Sequence, residues 1–135
     1  FRADPLGIDK WFALQAAAPE RDGRVFARVK ALLKHPDFTL ANPNRARSLV
    51  RTLCSDNPAA FHRADAAGYV FWAERVVELD AFNTQLASRV ARALDRWATL
   101  AEPYKSAARE AIARVAARTD LSDDVREVVT RALES

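Results

Sequence analysis

The chain has 135 residues, half of them hydrophobic and only three of them glycine, which suits one domain with a buried core and excludes a disordered composition. Its net charge of +3 is compatible with an acidic partner but far from a nucleic-acid-binding arm. One cysteine, Cys54, excludes an internal disulfide framework and fits a reducing compartment, and no apolar run is long enough to span a membrane or to serve as a signal peptide.

Helix signals recur along the chain and strand signals do not. Residues 5–18, "PLGIDKWFALQAAA", form an apolar-rich helix with Asp4 as its cap. Residues 23–34 place Val25, Val29, Leu32 and Leu33 on one face. Asn42 followed by Pro43 starts a third helix that carries Ala46, Leu49, Val50 and Leu53. Asn57 and Pro58 repeat that signal for a short turn through Phe61. Residues 68–81 carry Tyr69, Phe71, Trp72, Val76, Val77 and Leu79, an aromatic run at helical spacing that reads as core rather than as a ligand platform. Trp11 and Phe12 read the same way. Asn83 caps the next helix, with Leu86, Val90, Leu94 and Trp97 at helical spacing. Pro103 opens another through Ala108, Ile112 and Val115, and Ser122 caps the last, with Val125, Val128, Val129 and Leu133.

The connections are short, so neighbouring helices are expected to pack antiparallel. Helix starts recur every 15–20 residues or so, and two helices make a unit of roughly 40, the size of a HEAT or armadillo repeat. The fold class is therefore all-α: an irregular superhelical array of about eight antiparallel helices, read as a single domain over residues 1–135. The sequence starts without Met and contains none, which suggests a segment of a longer protein.

Most catalytic signatures are missing. There is no H-E-x-x-H, no P-loop and no glycine-rich dinucleotide turn. His35 and His62 are far apart in sequence, and neither has a metal-ligand partner at a recognised spacing. His35 is expected to help close its helix and His62 to make an ordinary hydrogen bond. Cys54, at the edge of an apolar stripe without a local base, reads as a small buried residue.

The basic residues are more informative. In "NTQLASRVARALDRW", Gln85, Arg89, Arg92 and Arg96 are spaced four, three and four apart and so share one stripe of a continuous helix. Arg47 and Arg51, four apart, flank the apolar face of the third helix. Cations near a helix N-terminus meet an unfavourable dipole. Arg47 and Arg89 both lie one to two turns inside an Asn-capped start, where helix end and guanidinium together suit a carboxylate. For Arg51, Arg92 and Arg96, covering apolar surface or pairing with acids on other helices is the simpler reading.

The segments "DPLGIDKWFALQA", "HPDFTLANPNRARSLV", "NPAAFH", "GYVFW" and "NTQLASRVARALDRW" are similar, in collinear order from Asp4 to Leu133, to the C-terminal domain of bacterial aminopeptidase N, the alanyl aminopeptidase of the gluzincin type. One departure is Asn83-Thr84-Gln85 where that family usually reads Asn-Pro-Gln; Thr is a mild change there and keeps Gln85 in register. The resemblance implies a zinc ion, its ligands and the general base in a catalytic domain outside this chain, and no cofactor within it. It further implies that this domain walls an internal chamber open to short peptides, with Arg47, Gln85 and Arg89 facing that chamber. The expected partners are the catalytic domain of the same parent chain and short peptide substrates, without nucleic acid or membrane, in a cytoplasmic monomer. The isolated chain is expected to be inactive, and an apolar patch through Trp11 and Phe12 is expected where the first helix meets the missing domain. The competing reading from the residues is a free-standing helical adaptor that binds an acidic protein.

Overall fold

The structure, a computed structural model, describes residues 5–134, so the expected Asp4 cap lies outside the described residues. It is built from helices, with no strand among the described residues: α1 (Pro5–Ala17), α2 (Arg24–Leu32), α3 (Pro43–Ala46) continuing as a π-helix (Arg47–Asp56), α4 (Pro58–Phe61), α5 (Ala67–Asp80), α6 (Thr84–Ala91), two 3₁₀ turns (Arg92–Leu94 and Trp97–Thr99), α7 (Tyr104–Ala116) and α8 (Asp123–Leu133). They group into two compact units, residues 1–61 and 62–135.

In the first unit, α1 packs chiefly on the π-helix, and α2 and α4 close over the same core. Phe12 is fully buried at its centre. Trp11, His35 and Phe38 surround its ring with centroids 5.2–5.6 Å away in edge-on geometry, the arrangement the aromatic quadrupole favours. The expected apolar patch through Trp11 and Phe12 is therefore not present. Phe12 is buried and Trp11 half-buried against it, and the exposed apolar side chains of α1 are Leu6 and Leu14, at 77% and 61% exposure. The reason is that α1 is apolar on every side, so its pattern does not identify the face that packs.

The entry to α2 shows how a helix start is met without a capping Ser or Asn. Asp22 and Gly23 both take positive φ, 54° and 75°, and Gly23 supplies the left-handed N-cap. The Glu20 carboxylate then accepts the Val25 and Phe26 amides at 3.0 and 3.1 Å. Asn57 performs a similar task at the other end of a helix. It is buried, and its Nδ2 donates to the carbonyls of Ala16 and Ala18 at 2.8 and 2.9 Å, closing the C-terminal end of α1.

The third helix departs from the expected α-geometry. From Arg47 to Asp56 the hydrogen bonds run in the wider π register. The Ser48 hydroxyl donates to the Asn44 carbonyl at 2.7 Å and the Thr52 hydroxyl to the Arg47 carbonyl at 3.4 Å. These side chains take up carbonyl capacity that an α-ladder uses. Leu49, Val50, Leu53 and Cys54 still form one buried stripe, because a period somewhat above four suits their spacing.

In the second unit, α5 packs beside α7 and α6 beside α8, while α5 also rests on α6 and α7 on α8, giving two layers of paired helices. Tyr69 and Trp72 are fully buried and Phe71 nearly so, as the aromatic run predicts. The indoles carry hydrogen bonds as well as apolar area. Trp72 Nε1 donates to the Val90 carbonyl at 2.9 Å, in the last turn of α6. Trp97 Nε1 donates to the Ala132 carbonyl at 2.8 Å, in the last turn of α8. At the start of α8 the Asp80 carboxylate accepts both the amide and the hydroxyl of Ser122, at 2.7 and 2.5 Å.

The helix expected to run unbroken through Trp97 ends as an α-helix at Ala91 and tightens into 3₁₀ turns. Leu94 and Trp97 are both buried and Trp97 is tied to Ala132, so packing against α8 outweighs the helical propensity of the Ala- and Arg-rich sequence. The expected continuous stripe through Gln85, Arg89, Arg92 and Arg96 is therefore interrupted, with Arg96 beyond the first 3₁₀ turn.

The Asn57 bonds give a direct test. Asn57→Ala leaves the buried Ala16 carbonyl and the part-buried Ala18 carbonyl, at the end of α1, without this donor and is expected to destabilise the fold by about 2 kcal/mol, read from denaturant midpoints at unchanged slope. Asn57→Asp, which removes the donors and adds a buried charge, is expected to cost more than the alanine.

Candidate functional site

The Asn42 side chain accepts the amides of Asn44 and Arg45 at 3.0 and 3.3 Å, as its N-cap position predicts. Those donors are thereby occupied, and any anion recognition near this helix start falls to guanidinium groups. The two nearby arginines are used differently. Arg45 Nε donates to Asp9 Oδ1 at 3.0 Å and Arg45 Nη1 to the Asp37 carbonyl at 2.6 Å, with only about 15% of either charged side chain exposed. Arg45 is thus a strut between α1, the turn after α2 and the start of α3. Arg47 is half-buried, and its Nη1 donates to Asn44 Oδ1 at 3.0 Å. It has no carboxylate partner among the described residues.

On α6, Asn83 Oδ1 accepts the Leu86 amide at 3.0 Å and sets the helix start. Leu86, Ala87, Val90 and Ala91 face the core, which turns Gln85 and Arg89 outward. The two are one turn apart, both exposed, and Arg89 has no ion-pair partner among the described residues. Arg92 lies near the Asp95 carboxylate, which Arg131 of α8 also faces, so this arginine is partly compensated. Arg47 belongs to the first unit, and Gln85 and Arg89 to the second. Arg47, half-buried near the Asn42-capped start, and Arg89, exposed in the last turn of α6, each carry a guanidinium with no carboxylate partner among the described residues, an arrangement that can take a carboxylate with a bidentate fork.

The remaining candidates take structural places. His35 receives the Asp37 amide on Nδ1 at 3.0 Å, and its backbone amide bonds the Leu32 carbonyl, so it closes α2 as expected. Its ring also packs against Trp11 and Phe12. Cys54 is buried. No group of three or more His, Cys, Asp and Glu side chains among the described residues is arranged to hold a metal ion. No helix among them is long and apolar enough to cross a membrane.

His62 Nδ1 meets the Tyr69 hydroxyl at 2.6 Å. Burial lowers the His62 pKa below its ordinary 6.5, and burial, reinforced by Tyr104, pushes the Tyr69 hydroxyl up to about 12. A cavity of about 770 Å³ lies between α5 and α7, lined by Tyr69, Val70, Ala73 and Ala111 among others. Its charged rim is largely self-paired, with Arg75 on Glu78 at 2.6 Å and Arg114 near Glu110. None of Arg47, Gln85 and Arg89 lines it.

The sequence pattern does not reveal the Asp9–Arg45 pair or the Asn44–Arg47 contact. One signal for the first is Asp9 itself, the only acid within the apolar-rich α1.

The titration of the pair His62–Tyr69 predicts an asymmetric stability profile. An unfolded histidine takes up its proton before the folded one, so stability is expected to fall as pH drops below about 6.5. An unfolded tyrosine ionises near 10 while the folded one resists to about 12, so stability is also expected to fall as pH rises through that interval. Thermal midpoints measured across pH should show the acid limb flattened by His62→Gln and the alkaline limb flattened by Tyr69→Phe.

Comparison with known proteins places these observations in context. Residues 1–134 match a family described as a domain of unknown function, DUF3458_C, with ARM repeats. Aminopeptidase N of Caulobacter vibrioides is 41% identical over 133 residues, 98% of this chain and 15% of the relative. Aminopeptidase N of Escherichia coli is 40% identical over 128 residues, 95% of this chain and 14% of the relative. The crystal structure of Legionella pneumophila aminopeptidase A in complex with aspartic acid superposes with a TM-score of 0.89 at 28% identity, over 98% of this chain and 15% of that one. The chain thus spans about 15% of the length of the curated relatives it matches.

Proposed function

This chain belongs to the DUF3458_C family of ARM-repeat domains, and on that premise we propose that it is the non-catalytic C-terminal domain of a zinc aminopeptidase that removes N-terminal residues from peptides. Similarity to aminopeptidase N over nearly the whole chain, at 40–41% identity, is the observation that carries this reading. The array of short helices supports a wall rather than a reaction centre. Zinc would be held elsewhere in the parent protein. The residues described here do not fit it, since no three His, Cys, Asp or Glu side chains among them converge on one point. In this proposal the domain's partner is the catalytic domain of its own chain, in a cytoplasmic monomer.

The mechanism proposed for this domain is positional. A peptide held by its amine at a distant zinc site presents its other end, a carboxylate, to the chamber wall. Arg47 and Arg89 supply guanidinium forks there and Gln85 a neutral amide one turn from Arg89. Two features support these roles: exposed or half-buried side chains, and the lack of carboxylate partners for either arginine among the described residues; Arg47 also lies just inside a capped helix start, whereas Arg89 lies in the last turn of the short α6. A wall built of packed helices also limits the length of peptide that fits.

In the aminopeptidase that carries this chain, Arg47→Ala or Arg89→Ala is expected to lower kcat/KM for tripeptides by roughly ten- to a hundredfold, the loss of one charge-assisted contact worth about 1.5–3 kcal/mol. Amino-acid amides, which lack the carboxylate, should be affected much less. Equal losses on both substrate types would instead assign the arginines to the fold. The isolated chain is expected to hydrolyse no amino-acid amide and to bind no stoichiometric zinc, which metal analysis of the purified domain checks.

A further inference from the structure

The start of α3 contains a chain of contacts that ends on Arg47. Asn42 holds the Asn44 and Arg45 amides. The Arg45 side chain is anchored outside its own helix, on Asp9 of α1 and on the Asp37 carbonyl. Asn44, between them, is fixed at both of its backbone groups, because its amide meets Asn42 and its carbonyl accepts the Ser48 hydroxyl at 2.7 Å. Its side-chain oxygen is then presented to Arg47 Nη1 at 3.0 Å.

The chemistry of that last contact is informative. An amide oxygen orients a guanidinium without neutralising it. One hydrogen bond to Nη1 leaves the Nε–Nη2 edge of Arg47 open, and that edge is one of the faces on which a carboxylate forms two parallel hydrogen bonds. For stability alone an aspartate would serve better at this position. It is nearly isosteric with asparagine, it would sit favourably in the first turn of the helix, and it would form an ion pair with Arg47 three residues on. Asparagine forgoes both gains and leaves the Arg47 charge available.

We propose that Asn44, seated by the Asn42 cap and the part-buried Asp9–Arg45 pair, is a positioning residue that aims Arg47 at the C-terminal carboxylate of a peptide while leaving its charge uncompensated among the described residues. This rests on the reading of Arg47 as a peptide contact, and it adds the device that sets specificity for a free carboxylate over a blocked one. Arg45 has the complementary part: its own charge is cancelled by Asp9, so it holds the helix start in place without competing for the ligand.

The test uses the full aminopeptidase that carries this chain and compares kcat/KM for a tripeptide with that for its C-terminal amide. Arg47→Ala should lower the acid-to-amide ratio by roughly ten- to a hundredfold. Asn44→Asp should lower the ratio about tenfold while the thermal midpoint stays the same or rises, a pairing of effects that a merely structural residue does not give. Asp9→Asn, which weakens the anchor of Arg45, should lower the ratio by a smaller factor, and Asp9→Glu should largely restore it. A ratio unchanged by Arg47→Ala removes the peptide-contact reading itself. A ratio lowered by Arg47→Ala but unmoved by Asn44→Asp overturns the positioning role and leaves that reading standing. A ratio that falls in Asn44→Asp together with the thermal midpoint also overturns it, by assigning Asn44 to the fold.

Discussion

Short helices leave a large share of their backbone groups at their ends, and the need to satisfy those groups governs this structure. Each helix end carries four amides or four carbonyls with no partner inside the helix. In an array of four- to fourteen-residue helices that deficit recurs every few turns. The chain meets it with side chains sent across from other elements. Glu20 serves the start of α2, Asn57 the end of α1, Asp80 the cap of α8, and Trp72 and Trp97 the ends of α6 and α8. Two of these residues are tryptophans whose rings also fill the core, so packing and backbone satisfaction are enforced by the same side chain. Helix ends are therefore the joints of each unit, and their partners set how neighbouring helices meet.

The same joints determine what faces outward. Asn42 and Asn83 begin helices whose apolar stripes are sealed against neighbours, and the polar residues one or two turns along are turned away from the core. The unfavourable dipole at a helix start then has two resolutions. At Arg45 a part-buried carboxylate cancels the charge and converts it into a strut. At Arg47 the side-chain partner among the described residues is a neutral amide, and the charge persists. Two arginines separated by one residue thus serve opposite ends, one held by the fold and one available to a ligand.

Much of this was legible from the residues. Asn42, Asn83 and Ser122 cap where they were expected to, because an N-cap is a local device whose donors lie two or three residues away. The aromatic run Tyr69–Trp72 is core because no arrangement of an amphipathic helix leaves that much apolar area in water. The misreadings share a different cause. Trp11 and Phe12 could not be told from Leu6 and Leu14 on a helix apolar all round, and only packing against His35 and Phe38 decides between them. The break after Ala91 follows from Trp97 reaching Ala132, thirty-five residues on. The Asp9–Arg45 bond spans thirty-six residues and Asn57 to Ala16 spans forty-one. Contacts at such separations have no periodicity to give them away. The candidate residues Arg47, Gln85 and Arg89 could be selected from charge and spacing, but the neutral contact that orients Arg47 is visible only in three dimensions.

The π-helical stretch from Arg47 to Asp56 has a bearing on how this segment tolerates change in chain length. Its ladder skips one residue more per turn than an α-helix, so it holds a surplus of chain within a continuous helix. Loss of a single residue there can be absorbed by a return to the α register over one turn. In a uniform α-helix the same loss would rotate everything beyond it by about a quarter turn or more and carry buried side chains into solvent. The segment between the Arg47 face and Asn57 is in this sense a length buffer: the cap at one end and the buried amide at the other can keep their partners while the count of residues between them varies.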